Sequence, residues 1–135
     1  MPNSAPKKSG TDGDGLWLMI VDDNHEMRRV IRRTVAGLVQ GIVECENGTQ
    51  ALDAYARIRP DFVLMDIEMH GADGIAATRR LIAAFPGTQV IIVTGHNDEQ
   101  LREAARDAGA CAYVLKENLL DLRQLLKPEA KRLLD

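Results

Sequence analysis

Charged and hydroxyl side chains stand directly after several apolar runs of the sequence, and groups of these types can bind metal ions and phosphoryl groups. Asp66 follows the run Phe62–Met65, which has no polar alternation and is typical of a strand covered on both faces. A carboxylate at the carboxyl end of such a strand points into the crevice where open α/β sheets bind ligands. The groups at comparable positions are Asp22, Asp23, Thr94 and Lys116.

These five side chains suit a metal ion and a phosphoryl group. Three carboxylates that crowd together repel one another, and they stay ionised at low cost only with a cation among them. Oxygen ligands select a hard ion, and Mg²⁺ prefers one or two carboxylates together with water and phosphate. Lys116 and Thr94 carry suitable donors to phosphoryl oxygens, and Asp66 can act as the nucleophile that forms an aspartyl phosphate.

Each residue taken alone has an ordinary explanation. An Asp pair after a strand is more often a helix cap, and a single Lys is usually solvated, but caps do not explain a whole set of such groups at strand ends. A transition-metal site would need His25, His70 and His96, which lie near the same predicted edge. Their spacing matches no metal-binding motif, so we expect ordinary loop histidines.

Parallel strands in one sheet would bring these groups to one edge. The apolar runs predict five strands, each followed by a segment of helical periodicity. Right-handed crossovers place the helices on both faces, so we predict a doubly wound α/β fold with a five-stranded parallel sheet. Glu44 within the second run suits an edge strand. The predicted strands are β1 at Leu16–Val21, β2 at Ile42–Glu46, β3 at Phe62–Met65, β4 at Val90–Val93 and β5 at Cys111–Leu115.

Caps, breakers and helical spacing predict five helices. Asn47 and Asn97 each precede a Gln by three residues and resemble N-caps. The first helix should present an apolar stripe to the sheet, formed by Met27, Val30, Ile31, Val35 and Leu38. The predicted helices are α1 at 26–38, α2 from the Asn47 cap to the residue before Pro60, α3 at Gly74–Phe85, α4 from the Asn97 cap to Gly109 and α5 from Asn118 through Leu126.

Length and composition predict one globular domain. The chain has 135 residues, of which 45% are hydrophobic and 27% charged, enough for one core. Residues 1–15 are predicted to be a disordered leader, 16–127 the folded domain and 128–135 a tail or helix extension. Cys45 and Cys111 fall in strand-like runs and are predicted to be buried, reduced thiols.

Charge and hydropathy exclude some partners. The formal net charge of −3 provides no basic surface for nucleic acid or an acidic membrane. No apolar run reaches membrane-spanning length, and the N-terminus lacks the apolar core of a signal peptide. We therefore expect a cytoplasmic protein that does not bind nucleic acid or membrane directly.

The sequence resembles the receiver domain of two-component response regulators from Leu16 to about Leu126. Receiver domains have the flavodoxin-like strand order 2-1-3-4-5, so the resemblance implies that order here. The motifs that carry it are Ile20–Asp23, Leu64–Met69 followed by Asp73-Gly74, Val93–Gly95 and Ala112–Lys116.

The resemblance implies a phosphorylation-dependent signalling protein. Asp66 would accept a phosphoryl group from a sensor histidine kinase, a phosphotransfer protein or a small phosphodonor. Mg²⁺ would be held by Asp23 and Asp66, by the backbone carbonyl of Glu68 and, through water, by Asp22. Lys116 would pair with the phosphoryl oxygens.

The resemblance also implies how a partner would detect phosphorylation. Thr94 would hydrogen-bond the phosphoryl group and Tyr113 would change rotamer with it, so the face formed by α4, β5 and α5 would present a different surface. A downstream effector protein or an output domain would bind that face, which could also join two copies as a homodimer. The domain would catalyse only its own phosphorylation and dephosphorylation.

Two residues replace prolines that are common in this family. His70 should make the loop after β3 less rigid and adds a titratable group. Glu117 should follow a trans peptide bond, because a cis bond without proline costs about 2.5–4 kcal/mol. Glu68 and His96, two residues beyond the phosphoacceptor and the hydroxyl, flank the family's path of hydrolytic water, so we expect them to set the phosphoryl lifetime.

Three other functions fit parts of the sequence. The chain could be the N-terminal piece of a longer DNA-binding transcriptional regulator. A small phosphoester hydrolase would need an acid or base two residues past the nucleophile, which only Glu68 could supply, and no lid insertion for a substrate is evident. A receiver-like binding module without phosphorylation would not need the complete set of groups at the strand ends.

Overall fold

Five parallel strands form one sheet in the order β2-β1-β3-β4-β5. The structure is a computed structural model that describes residues 15–69 and 72–127. The predicted leader up to residue 14, His70 and the predicted tail 128–135 lie outside the described residues. The predicted sheet and its strand order are confirmed. The strands are β1 Leu16–Val21, β2 Val39–Cys45, β3 Phe62–Met65, β4 Val90–Thr94 and β5 Ala112–Leu115.

Helices cover both faces of the sheet, as predicted for a doubly wound fold. α1 and α5 contribute to the core on one face, and α2, α3 and α4 to the core on the other. A 3₁₀ turn at Lys116–Asn118 precedes α5, and a short antiparallel hairpin pairs Glu68–Met69 with Ala72–Asp73. None of the described helices is long and apolar enough to cross a membrane. The helices are α1 His25–Thr34, α2 Gly48–Ile58, α3 Gly74–Ala84, α4 Glu99–Ala108 and α5 Asp121–Leu125.

The central strands are buried on both faces. In β1, Leu18 and Ile20 point into the core beneath α1 and α5, whereas Met19 and Val21 point into the core beneath α2, α3 and α4. Each such side chain contributes about 1.5–3 kcal/mol when it is fully buried. A slip of one residue would exchange the two sets of side chains, so the register is strongly specified. This register fixes which residues meet at the carboxyl edge.

Two bounds differ from the prediction where α1 meets β2. α1 ends at Thr34, earlier than predicted, because the chain turns at Gly37, which has a φ of 88° that favours glycine. β2 accordingly begins earlier, at Val39. The prediction of β2 as an edge strand is confirmed.

The face that α1 presents to the sheet also differs. Ile31 and Val35 are buried as predicted, but Val30 is 41% exposed and its predicted burial is wrong. Arg28 is buried instead. The helix is rotated so that this arginine, rather than the valine, faces the ends of the first two strands.

The last two helices begin later than predicted. Asp98 rather than Asn97 caps α4, since its carboxylate accepts hydrogen bonds from two backbone N–H groups. α5 begins at Asp121 rather than Asn118, because a 3₁₀ turn follows β5. The peptide bond before Glu117 is trans, as predicted.

The two cysteines have different surroundings. Cys45, at the end of β2, is buried as predicted, and burial raises the pKa of its thiol to about 11. Cys111 is exposed, so its predicted burial is wrong. β5 begins at Ala112, which leaves the cysteine in the connection before this edge strand.

Candidate functional site

Three carboxylates lie together at the carboxyl edge of the sheet. Asp22 and Asp23 follow β1 and Asp66 follows β3, and the two strands pair with Val21 opposite Met65. One carboxylate oxygen from each aspartate lies within 4.8 Å of the other two. Asp22 and Asp66 are only 2% and 4% exposed, whereas Asp23 is half-buried. The structure therefore brings the three predicted aspartates into one acidic pocket.

Lys116 supplies a positive charge to this pocket. Its Nζ lies 3.2 Å from Oδ2 of Asp22 and 3.5 Å from Oδ2 of Asp66. The lysine side chain is 23% exposed. A single ammonium group among three carboxylates leaves the pocket acidic, which favours a further cation.

The surroundings of Asp66 oppose its ionisation. Burial and the nearby charge of Asp22 raise the pKa of Asp66 from 3.8 to about 6. Lys116 and a hydrogen bond from the backbone N–H of Glu68 lower the pKa but do not compensate for these effects. Because extra positive charge favours the carboxylate form, a cation in the pocket would keep Asp66 ionised at neutral pH.

Backbone contacts fix Asp66 at the end of β3. Its N–H donates to the carbonyl of Val21 at 3.0 Å. Gly74, at the start of α3, lies against the Asp66 carbonyl, and a Cβ added there would be 1.9 Å from that oxygen. The side chain of Asp73 caps α3 by accepting from the N–H of Ile75. The Asp73-Gly74 pair is therefore needed to start α3 in close contact with the acidic pocket.

Thr94 and Tyr113 are linked through the backbone of His96. Thr94 ends β4 and is fully buried, and its Oγ1 accepts a hydrogen bond from the N–H of His96 at 3.2 Å. The hydroxyl of Tyr113 donates to the carbonyl of His96 at 2.7 Å. The guanidinium carbon of Arg102 lies 4.4 Å from the centre of the Tyr113 ring. This arrangement fixes the tyrosine beside the loop that follows β4.

Glu68 and His96 form an ion pair between two loops at the carboxyl edge. Nε2 of His96 lies 2.9 Å from Oε2 of Glu68, and both side chains are exposed. The hydrogen bond that Nε2 of His96 donates to the Glu68 carboxylate is the main cause that raises the pKa of His96 above its usual value. Among the described residues, neither His96 nor His25 joins a group of potential metal ligands.

The carboxylate set fits a hard divalent cation. Oδ2 of Asp22 is buried and accepts no hydrogen bond from any described residue, although the Lys116 ammonium is nearby. A buried acceptor without a donor is costly, and a cation would satisfy it. Asp22, Asp23 and Asp66 offer the carboxylate oxygen ligands that Mg²⁺ prefers. The part predicted for the Glu68 carbonyl remains a prediction.

Residues 18–127 match the family model described as "Response regulator receiver domain". The chain belongs to this family. The transcriptional regulatory protein YhcZ of Bacillus subtilis is 36% identical over 120 residues, which cover 84% of this receiver chain and 56% of YhcZ. The DNA-binding transcriptional regulator NtrC of Escherichia coli is 37% identical over 97 residues, which cover 72% of this chain and 21% of NtrC. The receiver chain thus spans about half of one relative and about a fifth of the other.

A solved receiver structure shares the fold. The crystal structure of a LuxR-family two-component response regulator from Aurantimonas has a TM-score of 0.75 and 26% identity to this chain. The match covers 88% of this chain and 94% of that one. This receiver domain therefore has the architecture of two-component response regulators.

Sequence reasoning missed three residues around the pocket. Arg28 and Glu44 form an ion pair next to Asp22, and Arg102 stacks on Tyr113. Arg28 lies three residues before the buried Ile31, at a spacing that shares a helix face. A charged residue at such a position indicates a polar partner on the sheet. The apolar periodicity of α1 instead predicts that Val30 is buried.

Proposed function

We propose that this receiver domain is a phosphorylation-dependent signalling protein in which Asp66 accepts a phosphoryl group. The observation that supports the proposal most is the grouping of Asp66 with Asp22, Asp23 and Lys116 in one pocket. The acceptor carboxylate there lies close to the Lys116 ammonium group and to two further carboxylates. Family membership supports the broader role in two-component signalling.

The transfer is an in-line displacement at phosphorus. An oxygen of Asp66 forms a bond to phosphorus while the bond between phosphorus and the imidazole nitrogen of a donor phosphohistidine breaks. The leaving imidazole keeps the electron pair of that bond and takes up a proton from water. Lys116, whose Nζ is 3.5 Å from the acceptor carboxylate, pairs with the phosphoryl oxygens.

The other pocket residues would bind Mg²⁺ and orient Lys116. Asp23, Asp66 and the backbone carbonyl of Glu68 would hold Mg²⁺ directly, and Asp22 would hold it through water. When bound, Mg²⁺ supplies positive charge that offsets the negative charge of the phosphoryl group. Asp22 also orients Lys116, since its Oδ2 is 3.2 Å from Nζ.

Phosphorylation would change the α4–β5–α5 face through Thr94. The product replaces one carboxylate charge with about −2 at neutral pH. The Thr94 hydroxyl accepts from His96 and still has its own proton to donate to a phosphoryl oxygen. Movement of Thr94 toward that oxygen would shift the His96 backbone and, with it, the bond from Tyr113. Arg102, stacked on Tyr113, would transmit the change to α4.

Partners follow from this reaction. A sensor histidine kinase or phosphotransfer protein would donate the phosphoryl group, and an effector protein or output domain would bind the α4–β5–α5 face. We expect the exchange to take place in the cytoplasm. The same face could mediate a homodimer, which size measurement with and without phosphodonor would detect.

A second candidate is that this chain is the receiver part of a longer transcriptional regulator. The relatives YhcZ and NtrC are regulatory proteins of which the matched segment is only 56% and 21%. In that case phosphorylation would act on an attached DNA-binding domain, and the receiver itself would still not contact DNA. Reading the gene beyond this segment for a DNA-binding domain would decide the point.

The Glu68–His96 pair is the proposed regulator of phosphoryl lifetime. Glu68 lies two positions beyond Asp66 and His96 two positions beyond Thr94, and their ion pair joins the segments that follow β3 and β4. The pair would restrict the approach of water to the phosphoryl group. Unchanged dephosphorylation rates in Glu68→Ala and His96→Ala would contradict this role.

Phosphorylation with a small donor tests the main proposal. The protein is incubated with acetyl phosphate and Mg²⁺, and its intact mass is measured. We expect a gain of one phosphoryl group in the wild type and in Asp53→Asn, whose side chain is exposed on α2. We expect no gain in Asp66→Asn or after chelation of Mg²⁺. A gain that persists in Asp66→Asn would contradict the proposal.

The same preparations test the alternative of a phosphoester hydrolase. A hydrolase would release phosphate from p-nitrophenyl phosphate over many turnovers. We expect no turnover above that of Asp66→Asn, because the proposed chemistry ends with phosphorylation of the domain and its slow hydrolysis. Sustained turnover that depends on Asp66 would favour the hydrolase.

A further inference from the structure

Arg28 is a buried cation beside the acidic pocket. It lies on α1 and is only 8% exposed. Its Nη1 donates to the backbone carbonyl of Asp22 at 2.6 Å, and its Nε donates to Oε1 of Glu44 at 2.8 Å. Because Glu44 is on the edge strand β2, a single guanidinium group connects α1, the end of β1 and β2.

The polar atoms of Asp22 show what this arginine contributes. The N–H of Asp22 donates to the carbonyl of Cys45 at 3.1 Å, and Oδ1 accepts from the N–H of Asn24 at 2.8 Å. The carbonyl accepts from Arg28. Only Oδ2 lacks a hydrogen bond among the described residues, and it faces Lys116. Three anchored atoms thus leave one oxygen directed into the pocket.

Of these three anchors, Arg28 is the only one supplied by a side chain. The other two are backbone groups that a substitution does not remove. Burying a guanidinium group carries a large desolvation cost, and a buried ion pair is weak evidence for a stabilising role. The hydrogen bond from Arg28 to the Asp22 carbonyl, which holds the Asp22-Asp23 turn, explains the buried position of Arg28 better.

Arg32 provides a comparison within the same helix. Its Nη1 donates to Oε2 of Glu44 at 2.8 Å, so it shares a carboxylate partner with Arg28. Its side chain is 52% exposed, and its described contacts do not include Asp22. The two arginines therefore differ both in burial and in whether they reach the pocket backbone.

We propose that Arg28 is a positioning residue for divalent cation binding. Through the carbonyl of Asp22 it holds the turn that carries Asp22 and Asp23, and Glu44 in turn holds Arg28. The turn is then ordered before the cation arrives, so binding does not bear the cost of ordering it. This inference rests on the proposed function, because the cation is the Mg²⁺ of the phosphorylation pocket.

Direct Mg²⁺ titration of the metal-free protein by calorimetry tests the proposal. Loss of an outer contact to a metal ligand typically weakens affinity by about 10–100-fold, so we expect Arg28→Met to raise the Mg²⁺ Kd by about tenfold. Arg28→Lys keeps the charge but not both bonds, and should lie between Arg28→Met and wild type. Arg32→Met is the matched control and should stay within about twofold of wild type.

Two further readouts separate positioning from a general loss of structure. In phosphorylation by acetyl phosphate, the half-saturating Mg²⁺ concentration should rise in Arg28→Met and stay near the wild-type value in Arg32→Met. In the metal-free protein, the amide of Asn24 should exchange with solvent faster in Arg28→Met than in Arg32→Met. If Arg28→Met does not fold, Glu44→Gln keeps the arginine but removes the charge of its carboxylate partner, and should raise the Kd by a smaller factor.

The outcomes distinguish this inference from the proposed function. A wild-type protein that binds no Mg²⁺ would overturn both. A wild type that binds Mg²⁺, together with a folded Arg28→Met of unchanged affinity, would overturn the positioning role alone. Equal weakening in Arg28→Met and Arg32→Met would also overturn it, because the effect would then follow from net charge.

Discussion

At the scale of single residues, Asp66 imposes a pH dependence on the metal-free domain. Its pKa of about 6 in the folded chain exceeds the ordinary value of 3.8, because burial and the charge of Asp22 oppose ionisation. Between these pH values the folded chain binds more protons than the unfolded chain. The free energy of unfolding therefore falls as the pH rises through this window. Below the window Asp66 is protonated in both states and the penalty is absent.

Removal of this charge should stabilise the domain at neutral pH. With Mg²⁺ chelated, we expect Asp66→Asn to raise the free energy of unfolding at about pH 7.5 by up to about 3 kcal/mol. The difference should vanish near about pH 4. Urea denaturation at a series of pH values measures it, with Asp53→Asn as the control. No stabilisation at the higher pH would show that the surroundings of Asp66 do not oppose its charge.

A second prediction at this scale concerns the pKa of His96, which forms an ion pair with Glu68. The hydrogen bond that His96 donates to the Glu68 carboxylate raises the pKa of His96 above 6.5, so the imidazolium persists to higher pH than in a free histidine. In Glu68→Gln the pKa should return toward 6.5, because the carboxylate partner is lost. The imidazole proton shifts followed by NMR against pH measure this. Glu117→Gln is the control and should leave the pKa of His96 unchanged. An unchanged pKa of His96 in Glu68→Gln would mean that the two side chains do not pair in solution.

At the scale of elements, the start of α3 depends on a missing side chain. A Cβ on Gly74 would lie 1.9 Å from the carbonyl oxygen of Asp66, which is backbone and cannot move without shifting the end of β3. We expect Gly74→Ala to lower the free energy of unfolding by about 1–3 kcal/mol and to slow phosphorylation. Urea unfolding and the acetyl phosphate reaction measure the two effects.

Gly87→Ala is the matched control for that substitution. No heavy atom lies within 4 Å of a Cβ added at Gly87, in the connection between α3 and β4. Its stability and phosphorylation rate should stay close to those of the wild type. If Gly74→Ala behaved like Gly87→Ala, the close contact between α3 and the phosphoacceptor would not constrain the pocket.

The helices show where caps and spacing in the sequence were sufficient to predict a helix start and where they were not. Asn47 caps α2 as predicted, because its side chain accepts a hydrogen bond from Gln50 and the signal lies within one turn. For α4, Asn97 and Asp98 are both good caps, and sequence spacing alone did not choose between them. The burial of Arg28 on α1 accompanies its ion pair with Glu44, which is sixteen residues away in sequence and on a different element.

At the scale of the whole molecule, Mg²⁺ binding should stabilise the fold. A ligand that binds only the folded state, at about 100 times its Kd, raises the free energy of unfolding by about 2.7 kcal/mol. Thermal unfolding with and without Mg²⁺ should therefore show a higher Tm with the ion. Asp23→Asn should lose most of this increase, since it removes a proposed ligand, whereas Asp53→Asn should retain it. An equal increase in both variants would mean that the stabilisation arises away from the acidic pocket.

The sequence by itself determined the fold and the residues of the acidic pocket. Buried parallel strands must be continuously apolar, so their ends are visible in the sequence, and the polar residues that follow them must share an edge. Only the tertiary structure decided which oxygen of Asp22 faces Lys116, that Arg28 rather than Val30 is buried, and that Arg102 stacks on Tyr113. These contacts join residues distant in sequence, and their geometry depends on how the helices settle against the strands.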